Sequence, residues 1–243
     1  KYFKKRSKKY SRKRSKKYGG ADAPIEGFPE QSVLADQVAW LDSNYVIECV
    51  NSGHGGKEPT FDDLVNDTDY YTEKWSPTCP LGKGAMAVVV SVQNKSEENR
   101  KEAMKYQKPK EEDIGKVETE IKIIEKLITS ANHHNWQNIV EFYNIYPLEE
   151  GHWIFTMEVL GGDLYKHLLA LSPPGSHNIP GLAPISIVKY IKSMINGLYV
   201  LHSNGIFHLD IKPENLLVGR DDVLKFTDFG LGKLDENSRV SNK

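Results

Sequence analysis

The chain has 243 residues, 39% of them hydrophobic, and a formal net charge of −1 at pH 7. That is enough apolar material for one large domain or two small ones with a sizeable core. Two cysteines, Cys49 and Cys79, are too few for a disulfide framework, and a reducing compartment is the default expectation.

The small net charge hides an asymmetry. Residues 1–18 carry 11 Lys or Arg and no acid, so the remaining 21 basic and 33 acidic residues give the rest a net of −12. The stretch KYFKKRSKKYSRKRSKKYGG holds an eight-residue near-repeat, KKRSKKYS then RKRSKKYG. Like charges this dense repel, so a disordered basic tail is expected over residues 1–20. It fits a polyanion, with nucleic acid favoured because Tyr2, Tyr10 and Tyr18 could stack on bases. The plainer readings are a solubilising or nuclear-localisation tail. Basic, Tyr- and Ser-punctuated leaders ending in Gly-Gly resemble segments of large DNA virus proteins. Residue 1 is Lys, so the expectation is a processed chain or a late start. No apolar stretch follows the basic residues and no run of 18 apolar residues occurs, so neither a secretory signal nor a spanning helix is expected.

Residues 21–75 read as an N-terminal extension without evident chemistry. VLADQVAWL (33–41) has helical spacing and YVIECV (45–50) reads as a strand. From residue 81 the texture changes. AVVVSVQ (87–93) is β-rich, and ENRKEAMKYQ (98–107) pairs with it as a second strand. Residues 114–131 have helical spacing, with Ile121, Ile124, Leu127 and Ile128 on one side. IVEFYNIYPL and HWIFTMEVL read as further strands and DLYKHLLAL as a short helix. After a Pro/Gly loop, ISIVKYIKSMINGLYVLHSNG is a long helix closed by Gly205. A strand-rich half therefore precedes a helix-rich half.

Four motifs carry chemistry. In LGKGAMAVVVSV, Gly82 and Gly84 would let backbone N–H groups approach phosphate oxygens, although, taken alone, a hairpin turn is their more ordinary explanation. Lys105, between apolar residues on a strand, should point at an anion. Glu120 is its best partner on the next helix, with Glu118 and Glu125 as competitors; singly, each reads as a surface charge. In GIFHLDIKPENLL, Asp210 can orient a hydroxyl or accept its proton, Lys212 can neutralise a phosphoryl group, and Asn215 can give Mg²⁺ an oxygen. Asp228, opening Asp228-Phe229-Gly230 after the strand-like VLKF, can supply a further metal oxygen.

Together, in this order and spacing, the motifs resemble those of the eukaryotic protein kinases of the Ser/Thr class. The resemblance runs from about Leu81 to Lys233. It implies an α+β fold: a β-rich first lobe (76–160) and part of a helical second lobe (161–243). It implies ATP and Mg²⁺, with Leu81, Gly82, Lys83, Gly84, Ala85, Ala87 and Val89 over the phosphates. Lys105 would hold the α- and β-phosphates and pair with Glu120. Val89, Ala103 and Leu217 would enclose adenine, with Met157 behind it. The Glu158 carbonyl and Leu160 amide would bond adenine through a connector as short as that of casein-kinase-1-like enzymes. Asp210 would be the catalytic Asp, Lys212 the phosphate-contacting lysine, and Asn215 and Asp228 the Mg²⁺ ligands. His208 and Phe229 would stack, with Ile124 or a neighbour above.

Two departures qualify that pattern. Leu209 stands where the family usually has an Arg that meets an activation-loop phosphate, so activity independent of such a phosphate is expected. The sequence ends 13 residues after Gly230, without an Ala-Pro-Glu element. The expectation is a partial second lobe whose exposed apolar helix (185–203) takes a protein partner. An intracellular protein of cytoplasm or nucleus, or of a virion, fits the composition. The alternatives are a kinase-like scaffold whose tail binds nucleic acid or another polyanion, and a small-molecule kinase.

Overall fold

The computed structural model describes residues 34–48, 60–66, 80–84, 87–130, 136–171 and 182–235. The basic tail, both cysteines, the end of the expected strand 45–50, Ala85 and the Pro/Gly loop at 172–181 lie outside the described residues. The fold is α+β and divides into two compact units, Lys1–Ile114 with Tyr143–Val159, and Gly115–Phe142 with Leu160–Lys243.

The first unit is built on one sheet. Its strands are β1 (Tyr45–Ile47), β2 (Pro80–Lys83), β3 (Ala87–Asn94), β4 (Arg100–Gln107), β5 (Phe142–Pro147) and β6 (Trp153–Glu158), in the order β1-β3-β4-β6-β5 with β2 also on β3. β3 shows why it is a strand: Val88, Val90 and Val92 are buried and the residues between them are half-buried, the two-residue period of a pleat. β4 starts two residues later than its sequence suggests. Glu98 and Asn99 take φ values of 49° and 60°, a left-handed turn that a strand cannot contain, and it closes the β3–β4 hairpin. One face of the sheet is covered by helix α1 (Leu34–Asn44) and the short helix α2 (Phe61–Asn66). The sequence did not announce α2. Its Phe61, Leu64 and Val65 are buried while Asp62 is exposed, too short a pattern to stand out.

The second unit holds most of helix α3 (Ile114–Thr129), helix α4 (Leu164–Ala170) and helix α5 (Pro184–Ser203). Val117, Ile121, Ile124 and Leu127 follow the helical period and are buried, and Ile123 joins them. Asp163 caps α4 by accepting a hydrogen bond from the Lys166 amide at 2.8 Å. α5 begins with Pro184 and ends one residue before Asn204, with Gly205 at φ 65° turning the chain away.

Three short pairings finish this unit. β7 (Ile206–Phe207) pairs antiparallel with β10 (Lys233–Leu234), and β8 (Leu216–Val218) with β9 (Leu224–Phe226). β9 is tied back to residues 138–140. The Phe226 amide donates to Asn138 O at 2.9 Å and the Val140 amide to Phe226 O at 3.0 Å. Phe226 then fills the space over Gly197, where a Cβ would stand 2.6 Å from the ring. Only a glycine on α5 admits that contact. Among the described residues no helix is long and apolar enough to cross a membrane.

Candidate active site

The candidate residues fall into two groups, one in each unit. In the first unit, the Gly84 amide, just after β2, donates to the carbonyl of Ala87, the first residue of β3, at 2.8 Å. A Cβ on Gly82 would meet nothing within 4 Å, and one on Gly84 only Ala87 O at 3.8 Å. Packing among the described residues therefore does not require glycine at either place. What bare backbone supplies here is room for something outside the chain to come close to the amides.

The register of the sheet groups the other candidates. Val89 faces Lys105 across β3 and β4; Lys105 faces Phe155 and Ala103 faces Met157 across β4 and β6. Residues opposite one another share a face. Val89, Ala103, Lys105, Phe155 and Met157 therefore line one side of the sheet. The Lys105 ammonium lies 5.9 Å from the centre of the Phe155 ring. Ala103 and Met157 are buried, and Ala87 and Val89 are half-buried beside them. Leu81 and Lys83 are exposed on β2, and Glu158 ends β6. The sequence reading missed Phe155. The alternation of WIFTME was the available signal, since it puts Phe155 on the same face as Met157.

In the second unit, the loop between β7 and β8 draws three polar side chains together. The Lys212 ammonium donates to Asp210 Oδ2 at 2.8 Å. The Asn215 amide group donates to the same oxygen and to the Asp210 carbonyl, both at 2.9 Å. With its nitrogen so engaged, Asn215 turns its Oδ1 away from Asp210 and leaves it able to accept. The hydrogen bond from Lys212 holds the Asp210 carboxyl below the usual carboxylate range; burial opposes this, and the bond from Asn215 adds to it. Lys212 is raised in turn, chiefly by that same bond to Asp210.

His208 locks this loop to the next motif. Its Nδ1 accepts from the Asp210 amide at 3.3 Å and its Nε2 lies 2.9 Å from Thr227 O. The tautomer with its proton on Nε2 satisfies both contacts. The Thr227 amide donates to Asn215 O at 3.1 Å. Thr227 immediately precedes Asp228, so the two motifs are joined through backbone as well as side chain.

Asp228 is exposed and takes φ 59°, an uncommon value for a residue other than glycine. The next residue explains how that is held. Phe229 is fully buried, with its ring 5.1 Å from His208 and 6.2 Å from Phe142. Glu120, on α3, is 3% exposed, whereas Glu118 and Glu125 are half-buried. A Cβ on Gly230 would sit 3.4 Å from Asp228 Oδ1 and 3.6 Å from Glu120 Oε2, so both carboxylates flank that glycine. Leu217 lies on β8. Leu160 begins a short stretch docked on the same hairpin, where the Gly161 amide donates to Val218 O at 3.2 Å. Leu209 has φ 60° and is exposed, a strained backbone for a branched apolar side chain.

A sheet face with one lysine above apolar side chains, a glycine turn, and a carboxylate loop locked to an Asp-Phe-Gly turn define a class. The family model for the protein kinase domain matches residues 75–242, and the chain belongs to that family. Among curated relatives, it is 32% identical over 158 residues to Serine/threonine-protein kinase HAL4/SAT4 of Saccharomyces cerevisiae, covering 62% of this chain and 24% of that one. Mitogen-activated protein kinase hog1 of Botryotinia fuckeliana is 30% identical over 173 residues, 71% of this chain and 45% of its own. Calcium/calmodulin-dependent protein kinase type 1 of Caenorhabditis elegans is 30% identical over 173 residues, 68% and 44%. The chain thus spans less than half the length of these relatives.

Proposed function

We propose that this protein transfers the γ-phosphoryl group of ATP to Ser or Thr hydroxyls of a protein substrate. The observation that carries the reading is the loop in which Asp210, Lys212 and Asn215 share hydrogen bonds and are locked through His208 and Thr227 to Asp228. Three relatives named as protein kinases, one of them as a serine/threonine kinase, support the same class.

Each residue then has a task. Asp210, ionised because Lys212 and Asn215 hold it so, accepts the hydrogen bond of the incoming hydroxyl and fixes its direction. Lys212 places positive charge where charge develops on the transferring group. Asn215 Oδ1 and the Asp228 carboxylate are hard oxygen donors of the kind Mg²⁺ takes. When bound, Mg²⁺ would neutralise phosphate charge there. Lys105 serves the other phosphates. Val89, Ala103, Met157 and Leu217 offer adenine an apolar surface, and the Glu158 carbonyl and Leu160 amide offer it hydrogen bonds. The bare glycine turn at Gly82–Gly84 leaves its amides approachable by phosphate oxygens. Leu209 gives no charge to receive a phosphate, so the activity runs without phosphorylation of the following segment.

The test is transfer of labelled phosphate from Mg·ATP to a protein acceptor. Asp210→Ala should lower the rate about 10²- to 10⁴-fold, the usual share of a positioned acid–base group. Transfer that persists at the same rate in Asp210→Ala, or nucleotide binding with no transfer by the full-length protein, overturns the proposal in favour of a scaffold.

A further inference from the structure

The sheet of the first unit has a cover that the family does not account for. The family match begins at residue 75, whereas α1, β1 and α2 occupy residues 34–66. This cover is tightly built in. β1 pairs with β3 from Tyr45↔Asn94 to Ile47↔Val92, and the pairing continues at both ends. The Glu48 amide donates to Ser91 O at 2.8 Å and the Lys95 amide to Asn44 O at 2.9 Å. Leu41, Phe61 and Leu64 share one core with Val90, Met104 and Tyr106.

The faces of β4 give the cover a consequence. Successive side chains alternate, so Met104 and Tyr106 point into the cover while Ala103 and Lys105 point the opposite way. Polar contacts then bracket Lys105 along the strand. On one side, Glu102 is fully buried; its Oε1 accepts from Asn94 at 2.8 Å and from Arg100, and Asn94 also reaches the Tyr45 hydroxyl at 3.4 Å. The Tyr45 hydroxyl in turn lies 2.6 Å from that of Tyr146 on β5. On the other side, the Tyr106 hydroxyl donates to Val65 O of α2 at 3.2 Å, with His152 Nδ1 3.1 Å away. Among the described residues the second oxygen of Glu102 has no hydrogen-bond partner, so this buried carboxylate tolerates little displacement of the groups that satisfy the first.

Resting on the nucleotide reading above, we propose that residues 34–48 and 60–66 are a positioning element for Lys105, holding β4 through Tyr106 and, by way of Asn94 and Glu102, through Tyr45. A group that must meet phosphate within a hydrogen-bond length gains from a strand that cannot slide or twist, because misplacement of about 1 Å costs orders of magnitude. The cover supplies that rigidity from the face away from the nucleotide.

The experiment uses the full chain with Tyr45→Phe, Tyr106→Phe and Lys105→Met. Mg·ADP affinity is measured by calorimetry, and amide hydrogen exchange is followed along Ala103–Gln107. Each Phe variant keeps its ring in the core, so the fold survives. Each should weaken Mg·ADP by up to about 10-fold, the ceiling set by one buried hydrogen bond, and speed exchange in β4. Lys105→Met should weaken Mg·ADP without changing that exchange. Affinity unchanged in both Phe variants, whatever their melting temperatures, makes the segment a cover only and overturns the proposal. If the unsubstituted chain binds no Mg·ADP, the nucleotide reading itself has failed. Exchange in the Phe variants then decides alone whether the segment holds β4.

Discussion

The back of the sheet and the outer side of α5 are both apolar, but they are treated differently. The sheet's Val88, Val90, Val92, Met104 and Tyr106 are covered by α1, β1 and α2 and are at most 1% exposed. On α5, Tyr190, Ser193, Gly197 and Leu201 are buried, whereas Val188, Ile191, Ile195 and Tyr199 are 60%, 47%, 61% and 74% exposed. Both stripes of α5 follow the helical period, so the helix is apolar nearly all round, the pattern of a helix enclosed on every side. The comparison teaches that the cover in the first unit is part of the fold's energetics. In the second unit, within the described residues, the matching surface is left largely in water and adds little to stability.

The sharpest way to break this contrast is Phe61→Ala. Phe61 is 1% exposed, and its amide also donates to Asp42 at 3.1 Å, tying α2 to α1. Removing the ring should cost about 3–5 kcal/mol, read as a fall in the denaturant midpoint at constant slope. A loss under 1 kcal/mol would mean that the cover is not part of the cooperative unit. Next in size is Gly197→Ala on the buried side of α5. Its Cβ would sit 2.6 Å from the Phe226 ring and 3.0 Å from Asn138 O, and neither is a free end that swings aside. Overpacking of this kind costs about 1–3 kcal/mol. A melting temperature equal to the parent's would show that this face of α5 is looser than its packing.

The loop from Asp210 to Asn215 adds a test of sign rather than size. The bond from Lys212 is the largest influence lowering the Asp210 pKa, so the carboxylate stays ionised to lower pH than an ordinary aspartate. Lys212→Met removes that influence. The Asp210 pKa should then rise toward its usual value, and the acid limb of kcat/KM, which reports the free enzyme, should move to higher pH. A limb that stays in place, or moves to lower pH, would assign it to another group.

Much of this was legible beforehand, for reasons that differ from place to place. Long periodic segments such as α3, α5 and β3 announced themselves because burial imposes its period on the residues. The loop from Asp210 to Asn215 and the Asp228 turn were readable because chemistry fixes residue type at fixed offsets. The packing of α1, β1 and α2 on the sheet was not readable. Tyr45 and Tyr106 are ordinary strand residues until the register sets one beside Asn94 and the other beside Val65. Spacing already favoured Glu120 over Glu118 and Glu125, and Glu120 is the one of the three that is buried. The missing Phe155 was a failure to apply alternation to a strand already identified.

The smallest expected effect returns to α5. Ile195 lies one turn from both Ile191 and Tyr199 on the outer side, and all three are exposed. Since this side chain is already largely in water, folding gains little from it, and Ile195→Ser should change stability by less than about 0.5 kcal/mol. The same substitution interrupts an apolar stripe of the size that binds hydrophobic dyes and associates. Dye fluorescence of the folded protein should therefore fall in Ile195→Ser while its melting temperature holds. A destabilisation like that of Gly197→Ala would instead show that something in the full chain already covers this side, making the two apolar surfaces alike.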